Sequence, residues 1–538
     1  MRKENKMQDL PIGIQNFEDI RKEDFVYVDK TEHLLNLVRK KGCYFLSRPR
    51  RFGKSLTLST LEAMFKGKAE LFKGLYAEEW VKEKAKNPSP VIKLDMTGLG
   101  DYTNRKELKL ALIDYLGDII DDYNLNIQQI ENSGRLFFKT IKELYKKYGQ
   151  VVVLIDEYDK PITDSIDNFK KANEIREFLR SFYTILKDSS DYLRFIFITG
   201  ISKFSKVGIF SGLNNLKDIS MTEQYGDIVG YTQKELEKYF VDWLEKISLK
   251  KSINRQQLLD KIKEHYDGFS FDGITRVYNP FSVLNFFDEG KFRNYWYDSC
   301  TPSFLAKYFK DHKIQDSDDY RHLKVTSDFT NASEIEHASP ESFLFQTGYL
   351  TIEKWEDDDE ITLDYPNKEV RDSLPKLYLY NIYNITDFIK LAYEILDSLK
   401  NSDIENVVDV FNSILARIPY DDFINDKSYE KTQKSLEKNY QKKEKWYRSL
   451  FLMLLSVIKV EVYPEVHTYQ GRPDVVIPFD DKIIIIEFKL APTSKDVPLK
   501  KKEGEEQIKK YISAYANTNK KIITAVFVAD DEKRQVIL

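Results

Sequence analysis

The apolar positions of this chain fall into short unbroken runs set between segments of helical spacing. Residues 43–46, 91–95 (VIKLD), 151–155 (VVVLI) and 193–200 (LRFIFITG) are rich in β-branched and aromatic side chains. Runs of that length and kind read as strands buried on both faces. After the first, Leu58, Leu61 and Phe65 recur at helical spacing and Gly67 supplies a stop. Strands alternating with helices predict a doubly wound parallel sheet. Farther on, Thr232 with Glu235 forms a capping-box pattern, and Asn279 followed by Pro280 opens another helix. A small helical lid is therefore expected over 231–300. YLTIEKW and EITLDYP predict a hairpin around the acidic run from Asp357 to Glu360, which reads as a solvated turn rather than a cation loop. Helical segments fill roughly 385–418, and a charged stretch over 426–445 leads into a last domain.

At 538 residues the chain exceeds what one core supports. Four segments are expected: a nucleotide domain over 1–230, the lid over 231–300, a mixed connecting region without an assigned role over 301–425, and a final α/β domain over 426–538. The formal net charge of −4 gives no global attraction for polyanions, so any nucleic-acid binding must come from local basic patches such as Lys500 to Lys502. Two cysteines, Cys43 and Cys300, argue against a disulfide framework or a thiolate zinc site and fit a reducing, cytoplasmic setting. The start MRKENKMQDLPIG lacks an apolar signal segment, and the most apolar run, residues 449–458, is half the ~20 residues a bilayer needs. No membrane partner is expected, and that run reads as a buried helix.

The first candidate chemistry lies directly after the first strand, in SRPRRFGKS. A loop of this kind surrounds phosphate oxygens with backbone N–H groups at a helix N-terminus. Lys54 would reach the terminal phosphates, Ser55 would hold magnesium, and Arg48, Arg50, Arg51, Phe52 and Gly53 would complete the cradle. Arg50 and Arg51 are also candidates to act between subunits, which makes a homo-oligomer an expected partner. The strand VVVLID ends in Asp156 and Glu157, placed to bind that magnesium and to polarise the attacking water. Thr199, at the end of the next strand, is the expected polar sensor near the terminal phosphate.

A second constellation lies in GRPDVVIPFDDKIIIIEFKL. Glu487 and Lys489 share one face of a strand, because side chains alternate, and a hairpin can bring Asp474 beside them. Asp474, Glu487 and the carbonyl of Phe488 can hold Mg2+ or Mn2+ while Lys489 positions or activates water, which is chemistry for phosphodiester hydrolysis. Glu465 offers a further carboxylate ligand. Gln507, with Lys510 and Tyr511 on the following helix, is placed to contact the substrate backbone, and Glu444 is a weaker carboxylate candidate. His467 reads as an ordinary polar residue.

LPIGIQNFEDI, FVYVDKTEHL, SRPRRFGKSL, VVVLIDEYDKP, FITGISKFSKVGIFSGLNNL and YNPFSVLNFF resemble the AAA-ATPase-like family of bacterial proteins. GRPDVVIP, IIIIEFKL and EQIKKY resemble its usual C-terminal partner, a PD-(D/E)XK nuclease-superfamily domain. The resemblance implies a P-loop ATPase fused to a restriction-endonuclease-like α/β fold, with the arginine-rich loop usual and Arg48 no defect. It also implies that Asp474, Glu487, Lys489 and Gln507 form the nuclease core. The expected function is an ATP-binding and ATP-hydrolysing protein that cuts nucleic acid, DNA rather than RNA, with divalent metal under ATP control. The alternative is an ATP-driven switch whose C-terminal fold only binds nucleic acid or protein.

Overall fold

A computed structural model of the chain describes residues 7–100, 102–128, 130–165, 168–203, 208–210, 213, 215–300, 305, 321–330, 339–418, 433–458, 460, 462–464, 472–512, 515 and 518–538. Two compact units divide it, one within 1–304 and 320–370, the other within 305–319 and 371–538.

The first unit is built on five parallel strands: β1 (Gly42–Ser47), β2 (Val91–Asp95), β3 (Val151–Asp156), β4 (Leu193–Gly200) and β5 (Leu216–Asp218). Their order is β2-β3-β4-β1-β5, and every neighbouring pair is parallel. The unbroken apolar run of β3 is buried along its whole length, as a strand covered on both faces requires. Because β4 lies between β1 and β3, the loop after β1 and the acidic end of β3 flank the end of β4. Leu46 pairs with Thr199, and Asp95 pairs with Asp156, so the chemistry-bearing residues line one carboxyl edge of the sheet. Cys43 is buried in β1, and that burial pushes its thiol up to about 12, so it is an inert packing group.

Helix Lys54–Phe65 follows the phosphate loop, with Leu58, Leu61 and Phe65 buried as their spacing predicts. Gly67, at φ +68°, follows its end. The capping box of Thr232 and Glu235 opens helix Gln233–Tyr239 as expected, and Asn279 caps helix Pro280–Glu289. These lid helices bury Leu236, Phe240 and Leu284 together with Val26 and Val28 of the N-terminal segment. The lid and the chain start are thus one packed body. The predicted hairpin forms as β7 (Thr351–Trp355) and β8 (Glu360–Asp364), joined by β6 (Leu323–Thr326) in the order β6-β8-β7. Asp357 accepts from the amides of Asp359 and Glu360, so the acidic run is an exposed turn. At the other end of these strands, His322 Nδ1 lies 2.7 Å from Glu353 and 3.5 Å from Asp364.

The second unit carries a sheet of order β13-β12-β11-β10-β9. Its strands are β9 (Tyr463–Pro464), β10 (Val475–Pro478), β11 (Lys482–Ala491), β12 (Lys521–Asp530) and β13 (Gln535–Ile537). β10 and β11 form an antiparallel hairpin, and β11 and β12 are parallel, joined by the crossover that contains helix Val497–Ile512. The apolar run at 449–458 falls on helix Gln433–Val457, whose Phe451 packs on Phe488 and Phe527. Helices Phe388–Asn401 and Ile404–Leu415 occupy the predicted helical stretch. Among the described residues, no helix is long and apolar enough to cross a membrane.

Candidate functional sites

The carboxyl edge of the first sheet opens into a cleft of about 390 Å3. Its lining combines polar residues, Arg50, Arg51, Lys54, Ser55, Asp156 and Glu157 among them, with the apolar Pro11, Ile14, Pro280, Phe281 and Leu284, and Arg51 lies 4.9 Å over the Phe281 ring. Gly53 sits at φ +95° and Arg51 at φ +66°, the left-handed turns that swing the loop into helix Lys54–Phe65. Lys54 is 5% exposed and donates to the carbonyls of Arg48 (2.9 Å) and Pro49 (3.0 Å). Burial lowers the proton affinity of its ammonium, against the pull of Glu157, Asp156 and Asp159. Burial likewise raises the Glu157 carboxyl, with Lys54 opposing.

Three sequence expectations change here. Arg48 is 1% exposed and does not line the cleft: it donates to the carbonyls of Ser47, Ser220 and Tyr225 and lies 4.0 Å over the Phe271 ring. Its guanidinium faces into the protein, where those carbonyls replace water, so it braces the loop from behind. Phe52 is buried too, edge-on to Phe269 and Phe271. Thr199 is fully buried, and its hydroxyl donates to Asp156 Oδ1 at 2.5 Å. It therefore orients the carboxylate that the glutamate amide also holds at 3.0 Å.

Asp159 was not singled out in the sequence, although VVVLIDEYDKP shows it as a third acid. It is buried and accepts from the amides of Ile201 and Ser202 and from the Ser202 hydroxyl, tying the turn after β3 to the end of β4. The connecting region also reaches the loop. Gln346 accepts from the Lys203 amide, and Gly348, at φ +94°, lies so close that a Cβ there would meet Pro49 Cβ at 2.9 Å.

In the second unit, Val475 pairs with Ile486, so the hairpin register sets Asp474 opposite Glu487. The Asp474 amide lies 3.4 Å from Glu487 Oε2, and the Phe488 amide donates to Asp474 Oδ2 at 2.8 Å. Lys489 Nζ donates to Glu487 Oε1 and to the Phe488 carbonyl, both at 2.9 Å. Asp474, Glu487 and Lys489 are thus brought together as their spacing predicts. Burial and the nearby Asp474 charge push the Glu487 carboxyl up to about 7. Burial pulls the Lys489 ammonium down, but Glu487, Glu444 and Asp474 outweigh it and its net direction is up. Clustered carboxylate oxygens beside a main-chain carbonyl are the donor set a hard divalent cation fits.

Glu444 joins the group from helix Gln433–Val457, accepting from the Leu490 amide at 2.9 Å. One turn on, Arg448 pairs with Asp474 Oδ1 at 2.6 Å, a contact the sequence reading missed; the i,i+4 spacing places Arg448 on the helix face of Glu444 and was the available signal. Gln507 lies on helix Val497–Ile512, and its Oε1 is buried without a hydrogen-bond partner among the described residues. Glu465 and His467 fall outside the described residues, as does the Tyr511 side chain.

Residues 11–210 match a family model described as a predicted AAA-ATPase, and residues 442–537 match the PD-(D/E)XK nuclease superfamily. The chain is 34% identical over 492 residues, 89% of each partner, to an uncharacterized protein in the vnfD 5′ region of Azotobacter chroococcum mcd 1. Among solved structures, an ORC2 protein of Aeropyrum pernix in ADPNP–ADP complexes aligns over 86% of this chain and 90% of that one, at 9% identity and a TM-score of 0.28. The ORC1 protein of the same organism, in complex with DNA, aligns over 64% and 91%, at 10% identity and a TM-score of 0.24. Both scores are too low to carry an inference. From the matched models in this order and the near full-length relative, the chain belongs to the family of predicted AAA-ATPases that carry a C-terminal PD-(D/E)XK nuclease-superfamily domain.

Proposed function

We propose that this protein binds and hydrolyses Mg-ATP in its first unit and, under control of nucleotide state, cuts DNA with a divalent metal in its second. The observation that carries this reading is the pairing, in one chain, of a cleft lined by the phosphate loop and the acidic end of β3 with a clustered Asp474, Glu487 and Lys489. At the first site the apolar lining residues, such as Ile14, Phe281 and Leu284, suit a nucleoside base. The amides at the start of helix Lys54–Phe65, with Lys54, Arg50 and Arg51, suit the phosphates. Magnesium, when bound, neutralises phosphate charge, and Ser55 and Asp156 are its proposed ligands. Thr199 fixes the Asp156 carboxylate. Glu157 orients the attacking water and accepts its proton.

At the second site a divalent ion supplies Lewis acidity to the scissile phosphate, with Asp474, Glu487 and the Phe488 carbonyl as its proposed ligands. Lys489 holds the water and its developing hydroxide through Nζ, and Gln507 is proposed to contact the DNA backbone. DNA is favoured over RNA, a cytoplasmic setting is assumed, and assembly of several copies would let Arg50 or Arg51 reach a neighbour's nucleotide.

The test is cleavage of linear and circular DNA with Mg2+ or Mn2+, with and without ATP, for wild type, Lys489→Ala and Lys54→Ala. Cutting that vanishes with Lys489→Ala, and an ATP response that vanishes with Lys54→Ala, supports a gated nuclease. Absence of metal-dependent cutting on every substrate, with ATP turnover intact, supports the ATP-driven switch instead.

A further inference from the structure

We propose that Arg448 is a further residue of the hydrolytic site, serving as the exchangeable counter-ion of Asp474 that a divalent cation must displace to bind. The inference rests on the metal-dependent reading of that site. Arg448 and Asp474 are 15% and 14% exposed, so the pair is mostly sheltered yet reachable from solvent. Asp474 has both oxygens engaged, Oδ1 by Arg448 and Oδ2 by the Phe488 amide. The amide is part of the strand and stays where it is. Arg448 sits on a long flexible side chain, so Oδ1 is the oxygen a metal can claim.

Charge balance points the same way. Among the described residues, with their carboxylates ionised, Glu444, Asp474 and Glu487 carry three negative charges against two positive ones on Arg448 and Lys489, leaving one in excess. Adding a divalent cation while Arg448 stays leaves an excess positive charge in a poorly hydrated site, which is costly. Exchanging Arg448 for the cation leaves the group neutral. Lys489 is the wrong cation to exchange, since it also donates to the Phe488 carbonyl and is 12% exposed on a strand buried along nearly its whole length. Arg448 is on a helix, one turn from Glu444, which anchors that helix to the Leu490 amide. A guanidinium released there is suited to a phosphate oxygen, the group that arrives with the substrate.

The experiment is Mn2+ titration of the full-length protein, stripped with chelator and free of nucleotide. It compares wild type, Arg448→Gln, Asp474→Asn and the double variant, with thermal melting in parallel. Arg448→Gln is expected to bind Mn2+ about tenfold more tightly than wild type, the worth of one sheltered arginine–carboxylate pair. Asp474→Asn is expected to remove that binding in both backgrounds. In chelator Arg448→Gln should melt below wild type, and Mn2+ should raise its melting temperature by more. Arg448→Lys, which keeps the charge but loses the fork, should fall between the two and covers the case in which the glutamine variant does not fold. Equal or weaker Mn2+ binding by Arg448→Gln, with binding still lost in Asp474→Asn, overturns the exchange and leaves the metal-dependent nuclease standing. Absence of Asp474-dependent Mn2+ binding in every variant overturns both.

Discussion

In the first unit the central lysine, Lys54, is hydrogen-bonded to two main-chain carbonyls, whereas in the second Lys489 is paired with a carboxylate, Glu487. The acids follow the same split. Asp156 is held by neutral donors, the Thr199 hydroxyl and the Glu157 amide, while Asp474 is held by a guanidinium. An anion can therefore draw Lys54 off neutral partners without breaking an ion pair, and a cation entering the second site has to break one. One site is prepared for a polyanion and the other is balanced against itself, so ligand entry is the more demanding step in the nuclease-like unit.

The widest gap between the sites should come from Glu487→Gln, which is expected to reduce metal-dependent DNA cutting by roughly 10³-fold and leave ATP turnover unchanged. The same variant reports on stability. Because Glu487 is raised from its ordinary value of 4.5 to about 7 in the fold, its ionisation opposes folding. That penalty is absent below the lower value, grows as pH rises between the two, and is complete above the higher. Melting in chelator should show wild type losing ground to Glu487→Gln through that window, by on the order of 3 kcal/mol. Equal pH profiles would place the carboxylate in a far more hydrated setting.

Lys54→Ala is expected to reduce ATP turnover by roughly 10²–10³-fold while lowering the melting temperature only modestly, since the burial cost of its ammonium offsets the contacts it leaves. Arg48→Ala inverts that pattern. Removing a buried guanidinium from three carbonyls and a ring should destabilise the first unit by about 3 kcal/mol, seen in chemical denaturation. A loss of ATP affinity with full stability would instead restore Arg48 to the phosphate cradle. The smallest effect belongs to Thr199→Val, expected to reduce turnover about tenfold with KM for ATP nearly unchanged, because the Glu157 amide still holds Asp156.

Four of the five strands of the first sheet were readable because a parallel strand buried on both faces writes itself as an apolar run, as VVVLID does, whereas β5, three residues without an apolar run, gave no such signal. The hairpin of Asp474 and Glu487 was readable for a related reason, since strand alternation fixes which residues share a face. Helix caps such as Thr232–Glu235 and Asn279 are local and were equally plain. What the sequence hid depends on contacts between distant segments. Arg48 looks like a phosphate ligand until Phe271 and the carbonyl of Ser220 are seen around it. Thr199 faces a carboxylate on the neighbouring strand that is forty-three residues away in sequence. The cleft brings Ile14 and Phe281 into one lining, and no spacing rule connects those two.

The cleft's lining runs from Pro11 to Leu284, and β1 is zipped to β4 by pairs such as Gly42 with Phe195. During synthesis the phosphate loop thus leaves the ribosome long before the strand beside it, and longer still before helix Pro280–Glu289, which also lines the cleft. At ordinary elongation rates on the order of tens of seconds separate the two events. Over that interval β1 and the loop must wait as an unpaired edge, and a nascent chain stalled before Leu284 should be unable to retain nucleotide.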